Sequence, residues 1–364
     1  MKKILLIEYQ GNCKKDNEPI GHPIKIINEY TEMIGENFII DVIAPQNILD
    51  NIDLTYIHKL KKLPFHFIIA GKKINKYIKD ILLSINILIA SVQKGYDALW
   101  FCNVNNFLFK LLHFFPKKIK KKIVCTMYSE DYKTKKSVSD FAKERKNLGL
   151  IIYTIKTAQV RNKKQIYLPD YCYDSDFYIK YQNLKKEEKV ICIGTMSSEK
   201  KLEDLVDVFN QIDYPLEICG YFREPEREEK LKIKANKNIK IENRYLTTEE
   251  YFNKLAKAKY AIIPYDTERY YMRTSGVLQE CVFVNTIPIT FNKILEQNDT
   301  RGVGIEQLSE LVDFEFKNND FDKLLQNYKF RRENEFAKDV VKQKLIKALN
   351  DIEEKNDEAE HFNI

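Results

Sequence analysis

The densest set of side chains able to do chemistry lies in Tyr260–Phe291, YAIIPYDTERYYMRTSGVLQECVFVNTIPITF. Ala261, Ile262 and Ile263 form an apolar strand that ends at Pro264. A polar loop follows with Arg269, Arg273, Thr274, Ser275 and Gly276. A short helix opens on Thr274–Gly276 and carries Glu280, and a second apolar strand, Thr286–Thr290, closes the unit. Free amides and the helix dipole favour an anion at a helix start, and arginines beside it strengthen the attraction, so the segment suits a phosphate. Glu280 lies about one and a half turns further on, placed to accept hydrogen bonds from a sugar hydroxyl. A diphosphate and a ribose are the handles of a nucleotide. Plainer readings stay open: Ser275 and Gly276 as a helix cap, Arg269 and Arg273 as rim charges, and Glu280 as a surface or ion-paired carboxylate.

A second cluster is Val190–Leu205, VICIGTMSSEKKLEDL. Gly194 allows a close turn after a strand, and Lys200 stands where the loop enters a helix; taken alone it reads more readily as a solvated surface lysine. This segment resembles the strand–G-R-x-x-x-E-K-G–helix opening of the C-terminal domain in retaining GT-B glycosyltransferases of the group-1, family-4-like kind. Gly194, Glu199 and Lys200 match that pattern. Thr195 takes the place of the arginine, and Lys201 that of the second glycine. The resemblance implies that Lys200 meets the donor's phosphates and that half the expected charge is missing. Arg269 or Arg273 could supply it.

The likeness extends over roughly residues 1–300. Leu216–Tyr221 resembles the family's strand ending in glycine. Ile239–Tyr245 with Thr248–Ala258 resembles its nucleobase-binding turn and following helix, which brings in Tyr245. Thr274–Ile289 resembles the stretch that holds ribose and phosphate: Glu280 matches the second of two glutamates, and Met272 occupies the position of the first. Ile123–Tyr128 resembles a strand that ends in histidine in many relatives, here Tyr128. Ile166–Phe177 resembles the interdomain linker pattern. The departures at Thr195, Met272 and Tyr128 mark a remote member.

In the first half, Gly11 and Asn12 follow the first strand, in a loop that also holds Asp16, Glu18 and His22. The family uses that loop on its acceptor side. Glu130 and Asp131 follow the strand Ile123–Met127. A carboxylate there could act as a base or orient an acceptor hydroxyl, and solvated loop acids are the plainer reading. His58, His66, His113 and His361 lack metal-ligand spacing. The resemblance implies no metal and no cofactor, the diphosphate charge being met by side chains and helix amides. The runs Lys59–Lys62, Lys72–Lys76 and Lys117–Lys122 beside apolar stretches suggest a basic face able to rest on an anionic membrane.

These residues need a scaffold. The 364 residues suit two domains with real cores. Hydrophobic residues at 44% are ordinary for a globular protein, and a net charge of +7 is too diffuse for nucleic-acid binding. The first apolar run stops at Glu8, which argues for a strand and against a signal peptide. The longest apolar window, Ile81–Val92, is too short to span a bilayer. The seven Cys never form a CxxC pair, so buried reduced thiols in a cytoplasmic protein are expected. Strands alternate with helices in both halves, which indicates parallel sheets covered on both faces. The expectation is an α/β protein of GT-B architecture, two Rossmann-like domains facing a cleft. An acceptor-side domain spans 1–170, a linker 171–188, a nucleotide-sugar domain 189–335, and a C-terminal helix and tail 336–364.

The resemblance implies transfer of a sugar from a nucleoside-diphosphate donor, with UDP favoured and retention favoured. The acceptor would be a hydroxyl on a glycan or lipid-linked molecule in bacterial surface-glycan synthesis, at the inner face of the plasma membrane. A non-catalytic GT-B subunit that stabilises a partner transferase is the alternative. A hydrolase or epimerase of the same fold would need a carboxylate or histidine pair that no motif here supplies.

Overall fold

The computed structural model describes residues 1–13, 21–68, 76–104, 106–128, 147–156, 164–317 and 320–357. The chain divides into two compact units. The first comprises Met1–Thr154, Gln159–Leu168 and Lys342–Ile364, and the second Ile155–Ala158 and Pro169–Val341.

The first unit holds β1 (Lys3–Ile7), β2 (Asn12–Cys13), β3 (Ile39–Pro45), β4 (Lys59–Leu63), β5 (Phe67–Ile68), β6 (Ala98–Phe101), β7 (Ile123–Met127), β8 (Leu150–Tyr153) and β9 (Gln165–Tyr167). Seven of them form a parallel sheet in the order β4-β3-β1-β6-β7-β8-β9, and β2 pairs with β5. Continuous apolar runs such as Ile4–Ile7 and Ile123–Met127 are buried, as strands covered on both faces must be. The edge strand β4 reads KLKKL; lysines on an edge discourage pairing with another chain.

The second unit holds β10 (Glu187–Ile193), β11 (Leu216–Gly220), β12 (Ile239–Asn243), β13 (Ala258–Ile262), β14 (Ile287–Phe291) and β15 (Val303–Ile305). They form a parallel sheet in the order β12-β11-β10-β13-β14-β15. The chain leaves β10 toward β11 and β12, then returns to its other side at β13. That reversal makes β10/β13 the topological switch point, and the crevice beyond the carboxyl ends of these strands is where open α/β sheets take ligands.

Several sequence expectations change. Residues 171–188, read as a linker, contain the helix Ser175–Gln182, whose Tyr178 and Tyr181 are buried with Phe252 and Phe283 in the second unit's core. Asp174 caps it by accepting the Asp176 and Phe177 amides. Ahead of the helix expected over 336–364 the chain forms the helix Asp322–Arg331 and a π-turn at Arg332–Phe336, and the last helix runs Lys338–Asp357. The buried Arg332 anchors the turn by donating to the Val282 carbonyl and Asn285 Oδ1. Charge masked the helix Pro225–Lys234 in the sequence, although Pro225 stands at its first turn. From Lys342 onward the chain belongs to the first unit: Leu345 and Leu349 are buried there, and Lys2 Nζ donates to the Asn350 carbonyl at 2.7 Å.

The basic face is thinner than the lysine runs suggested. Lys120 and Lys122 turn inward to the carbonyls of His113 and Tyr96, while Lys117 and Lys118 stay exposed. Residues 72–75 lie outside the described residues. All seven cysteines are buried thiols outside any disulfide. Among the described residues no helix is long and apolar enough to cross a membrane.

Candidate functional site

The site begins at two glycines. Gly194 ends β10 at φ +99° and Gly220 ends β11 at φ +139°. A Cβ on Gly220 would lie 1.9 Å from the Gly194 carbonyl oxygen, so this close approach requires glycine. Beyond it the two loops stay joined, the Met196 amide donating to the Tyr221 carbonyl at 2.8 Å. The Arg223 amide meets the carbonyl of Met196 at 3.4 Å, the residue after Thr195, the exposed position where the sequence lacks charge.

Lys200 is buried, not solvated. Its Nζ donates to the Ile193 carbonyl at 2.9 Å and lies 3.9 Å from Met196 Sδ. An ammonium has three protons to place, and among the described residues that carbonyl is its only oxygen partner. The loop around it is held from two sides. Arg227 donates to the carbonyls of Ser197 and Lys200 and pairs with Glu203. The loop after β13 supplies the rest: the Lys201 amide reaches the Pro264 carbonyl, the Asp266 amide the Glu199 carbonyl, and Arg269 Nη1 the Ser198 carbonyl at 3.2 Å. Arg273 Nη1 meets Glu199 Oε1 at 2.5 Å. Gly194, Lys200, Arg269 and Arg273, taken from two separate motifs, therefore belong to one constellation.

The helix after this loop runs Gly276–Phe283. Ser275 is its N-cap and accepts the Leu278 amide. The Gly276 and Val277 amides precede the first intrahelical bond, and among the described residues no acceptor meets them. A Cβ on Gly276 would come within 2.7 Å of the Tyr171 ring, so packing as well as anion access calls for glycine there. Thr274 presents its carbonyl to the Tyr270 hydroxyl. Glu280 is buried, and its Oε2 accepts the Tyr251 hydroxyl at 2.5 Å. Burial, then the Glu280 charge, holds the Tyr251 phenol far above its ordinary range. The helix that carries Tyr251 opens on a capping box between Thr247 and Glu250.

Sequence reasoning missed Gln297 and Asn298, which fix the loop. Gln297, buried, accepts the Met272 amide at 2.9 Å and donates to the carbonyls of Tyr270 and Arg273. Asn298 Oδ1 accepts the Ser275 amide at 2.9 Å. They hold Met272 at φ +49°, a left-handed backbone that costs a non-glycine residue free energy. Tyr245, half exposed at the end of β12, stacks on Tyr221 with ring centroids 4.3 Å apart and planes 14° from parallel. Such a face suits a nucleobase.

The expected acceptor-side residues lie in the first unit. Gly11 has φ +54°, and a Cβ there would strike Pro45; the residue serves a tight backbone approach. Asn12 lies in the short β2 pairing. Burial, then Lys25, pushes His22 down to about 4, so its imidazole is neutral near pH 7, and its ring sits edge-on to Tyr128. Glu8, read in the sequence only as the end of a strand, proves to be a buried carboxylate at the end of β1. Its Oε1 accepts the Gln10 and Gly11 amides, and burial pushes its pKa up to about 7. Glu130 and Asp131 lie outside the described residues. Among the described residues no group of three His, Cys, Asp or Glu could hold a metal ion.

This is the fold of the GT-B glycosyltransferases. The chain is similar to Anabaena Alr3699/HepE in complex with UDP, at 12% identity with 96% of this chain and 100% of that chain covered and a TM-score of 0.65. It is similar to the catalytic domain of starch synthase IV from Arabidopsis thaliana bound to ADP and acarbose, at 11% identity with 96% and 99% covered and a TM-score of 0.61. It is also similar to the UDP-GlcNAc 2-epimerase of Methanocaldococcus jannaschii, at 11% identity with 96% and 99% covered and a TM-score of 0.55. No protein-family model and no curated protein sequence matches the chain.

Proposed function

We propose that this protein transfers a sugar from a nucleoside-diphosphate sugar, with UDP as the favoured nucleotide, to a hydroxyl acceptor. The observation that carries the reading is the convergence of Arg273 and Arg269 on the Gly194–Lys200 loop, at the switch point of the second sheet, with the Ser275-capped helix start two residues beyond Arg273 in the chain. The diphosphate would take the Gly276 and Val277 amides, Lys200 and Arg273. Its departure develops the largest charge in the reaction, and preorganised donors stabilise that charge most. Glu280 with Tyr251 would hold the ribose, and Tyr245 on Tyr221 the base. Arg223 joins Arg273 as a source of the charge that Thr195 lacks. The reading includes transfer with retention and without a metal, onto a glycan or lipid-linked acceptor in bacterial surface-glycan synthesis. It places the work in the cytoplasm, with peripheral contact at the inner face of the plasma membrane. UDP-bound and ADP-bound structures among the similar folds support nucleotide binding.

The test is a calorimetric titration with UDP, GDP and ADP, followed by a thermal-shift screen of nucleotide-sugars. Binding of one nucleoside diphosphate is the expected result, and silence from every ligand would sink the reading. A second reading rests on a specific observation: Arg273 is already neutralised by Glu199, and Lys200 is turned to a backbone carbonyl. A non-catalytic subunit that stabilises a partner transferase would tolerate both arrangements, and it would bind no nucleotide in the same titration.

A further inference from the structure

The helix Lys76–Ser91 in the first unit turns Leu83, Ile87 and Ala90 into the core. Its other face, continued by the next residue, carries Ile78, Ile81, Ile85, Leu88 and Val92, each between 36% and 62% exposed. Steps of three and four residues align them in one stripe, about 21 Å long at the helical rise. In the sequence this run stands out only as the longest apolar window, because both faces of the helix are apolar. A contiguous apolar stripe on a surface marks something that covers it.

Width and charge choose the occupant. One helix face offers roughly 200 Å² at that length, far below the ~800 Å² per partner of a stable protein interface. The charges around it are mainly cations. Lys79 lies on the helix and Lys94 follows it. The edge strand β4 packs beside the helix, with Lys61 bonded to Gln93, and exposes Lys59 and Lys62. Two copies meeting here would bring lysines together, whereas anionic headgroups would neutralise them.

We propose that this stripe is an interfacial membrane element: Ile78, Ile81, Ile85, Leu88 and Val92 enter the headgroup–acyl boundary of an anionic bilayer while the flanking lysines contact lipid phosphates. A helix lying in the interface gains from buried apolar area and from anionic attraction together. The proposal deepens the sugar-transfer reading by naming the surface that meets a lipid-linked acceptor, and it rests on that reading for its purpose.

The test uses the full-length protein and vesicles of phosphatidylglycerol with phosphatidylcholine, against vesicles of phosphatidylcholine alone. The wild type is expected to sediment with the anionic vesicles, and the double variant Ile81→Gln/Leu88→Gln to bind at least about tenfold more weakly. Because Trp100 is buried, Ile85→Trp adds a reporter whose emission should shift to the blue on anionic vesicles. A wild type that stays in the supernatant, a Gln variant that binds as well as wild type, or an unshifted Trp would overturn the proposal. A concentration-dependent dimer abolished by the Gln variant would overturn it in favour of a second copy. Nucleotide affinity measured without vesicles separates failure here from failure of the sugar-transfer reading.

Discussion

The Arg273 guanidinium lies 2.5 Å from the Glu199 carboxylate, and this pair ties the loop after β13 to the loop after β10. Glu199 therefore orients Arg273 and also competes with a phosphate for it. Replacing Arg273 with Ala should raise the donor KM about tenfold to a hundredfold, the worth of a charge-assisted hydrogen bond. Steady-state kinetics would show it, and unchanged kinetics would remove Arg273 from the donor site. Glu199→Gln, which relaxes the competition, should disturb the donor KM less than Arg273→Ala.

Gln297 acts through the loop it holds. Gln297→Ala strips three backbone partners in one step and should cost on the order of 1–3 kcal/mol in stability. Its effect on turnover should fall on KM more than on kcat. Chemical denaturation and donor kinetics on the same variant check both, and a variant altered in stability alone would make Gln297 purely structural.

The Tyr245 ring is the exposed member of its stack. Base stacking on an aromatic ring is worth about 1–3 kcal/mol, so Tyr245→Ala should weaken UDP binding roughly tenfold or more, and Tyr245→Phe should leave it nearly intact. Equal affinities across all three proteins would place the nucleobase elsewhere.

Glu8 predicts a pH dependence with a definite sign. Its carboxyl is raised from 4.5 to about 7 by burial. The folded chain thus keeps a proton that the unfolded chain releases. The associated stability is full below about pH 4.5 and is lost as the pH rises through about 7, on the order of 3 kcal/mol in all. Urea titrations across that window should show the decline, and Glu8→Gln should flatten it. A variant with the wild-type slope would assign the effect to another group.

Much of the fold was legible because its strands are buried on both faces and read as short apolar runs between turn residues. The candidate constellation was legible where local rules apply: Ser275 caps a helix, and Gly194 turns after a strand. What stayed hidden depends on distant partners. Nothing near Gln297 or Asn298 announces that their amides reach back to residues 270–275. The burial of Lys200 follows from the Ile193 carbonyl lying in its path, and a lysine in a charged loop gives no sign of that. Gly276 reads as a phosphate glycine until the Tyr171 ring is seen against it. The Ile81–Val92 run reads only as the longest apolar window, because periodicity cannot tell a helix buried on two faces from one buried on a single face.

The segment from Lys342 packs into the unit that Met1 begins. During synthesis, the second unit has all its residues while the first still lacks a wall of its core. Residues 1–168 alone would leave Ile4, Phe38 and Ala98 without Leu349 and Ile352, beside which they lie. The unit whose strands come earlier in the chain is thus the one completed later, and during synthesis its open face must wait for the residues around Leu349 and Ile352 that cover it.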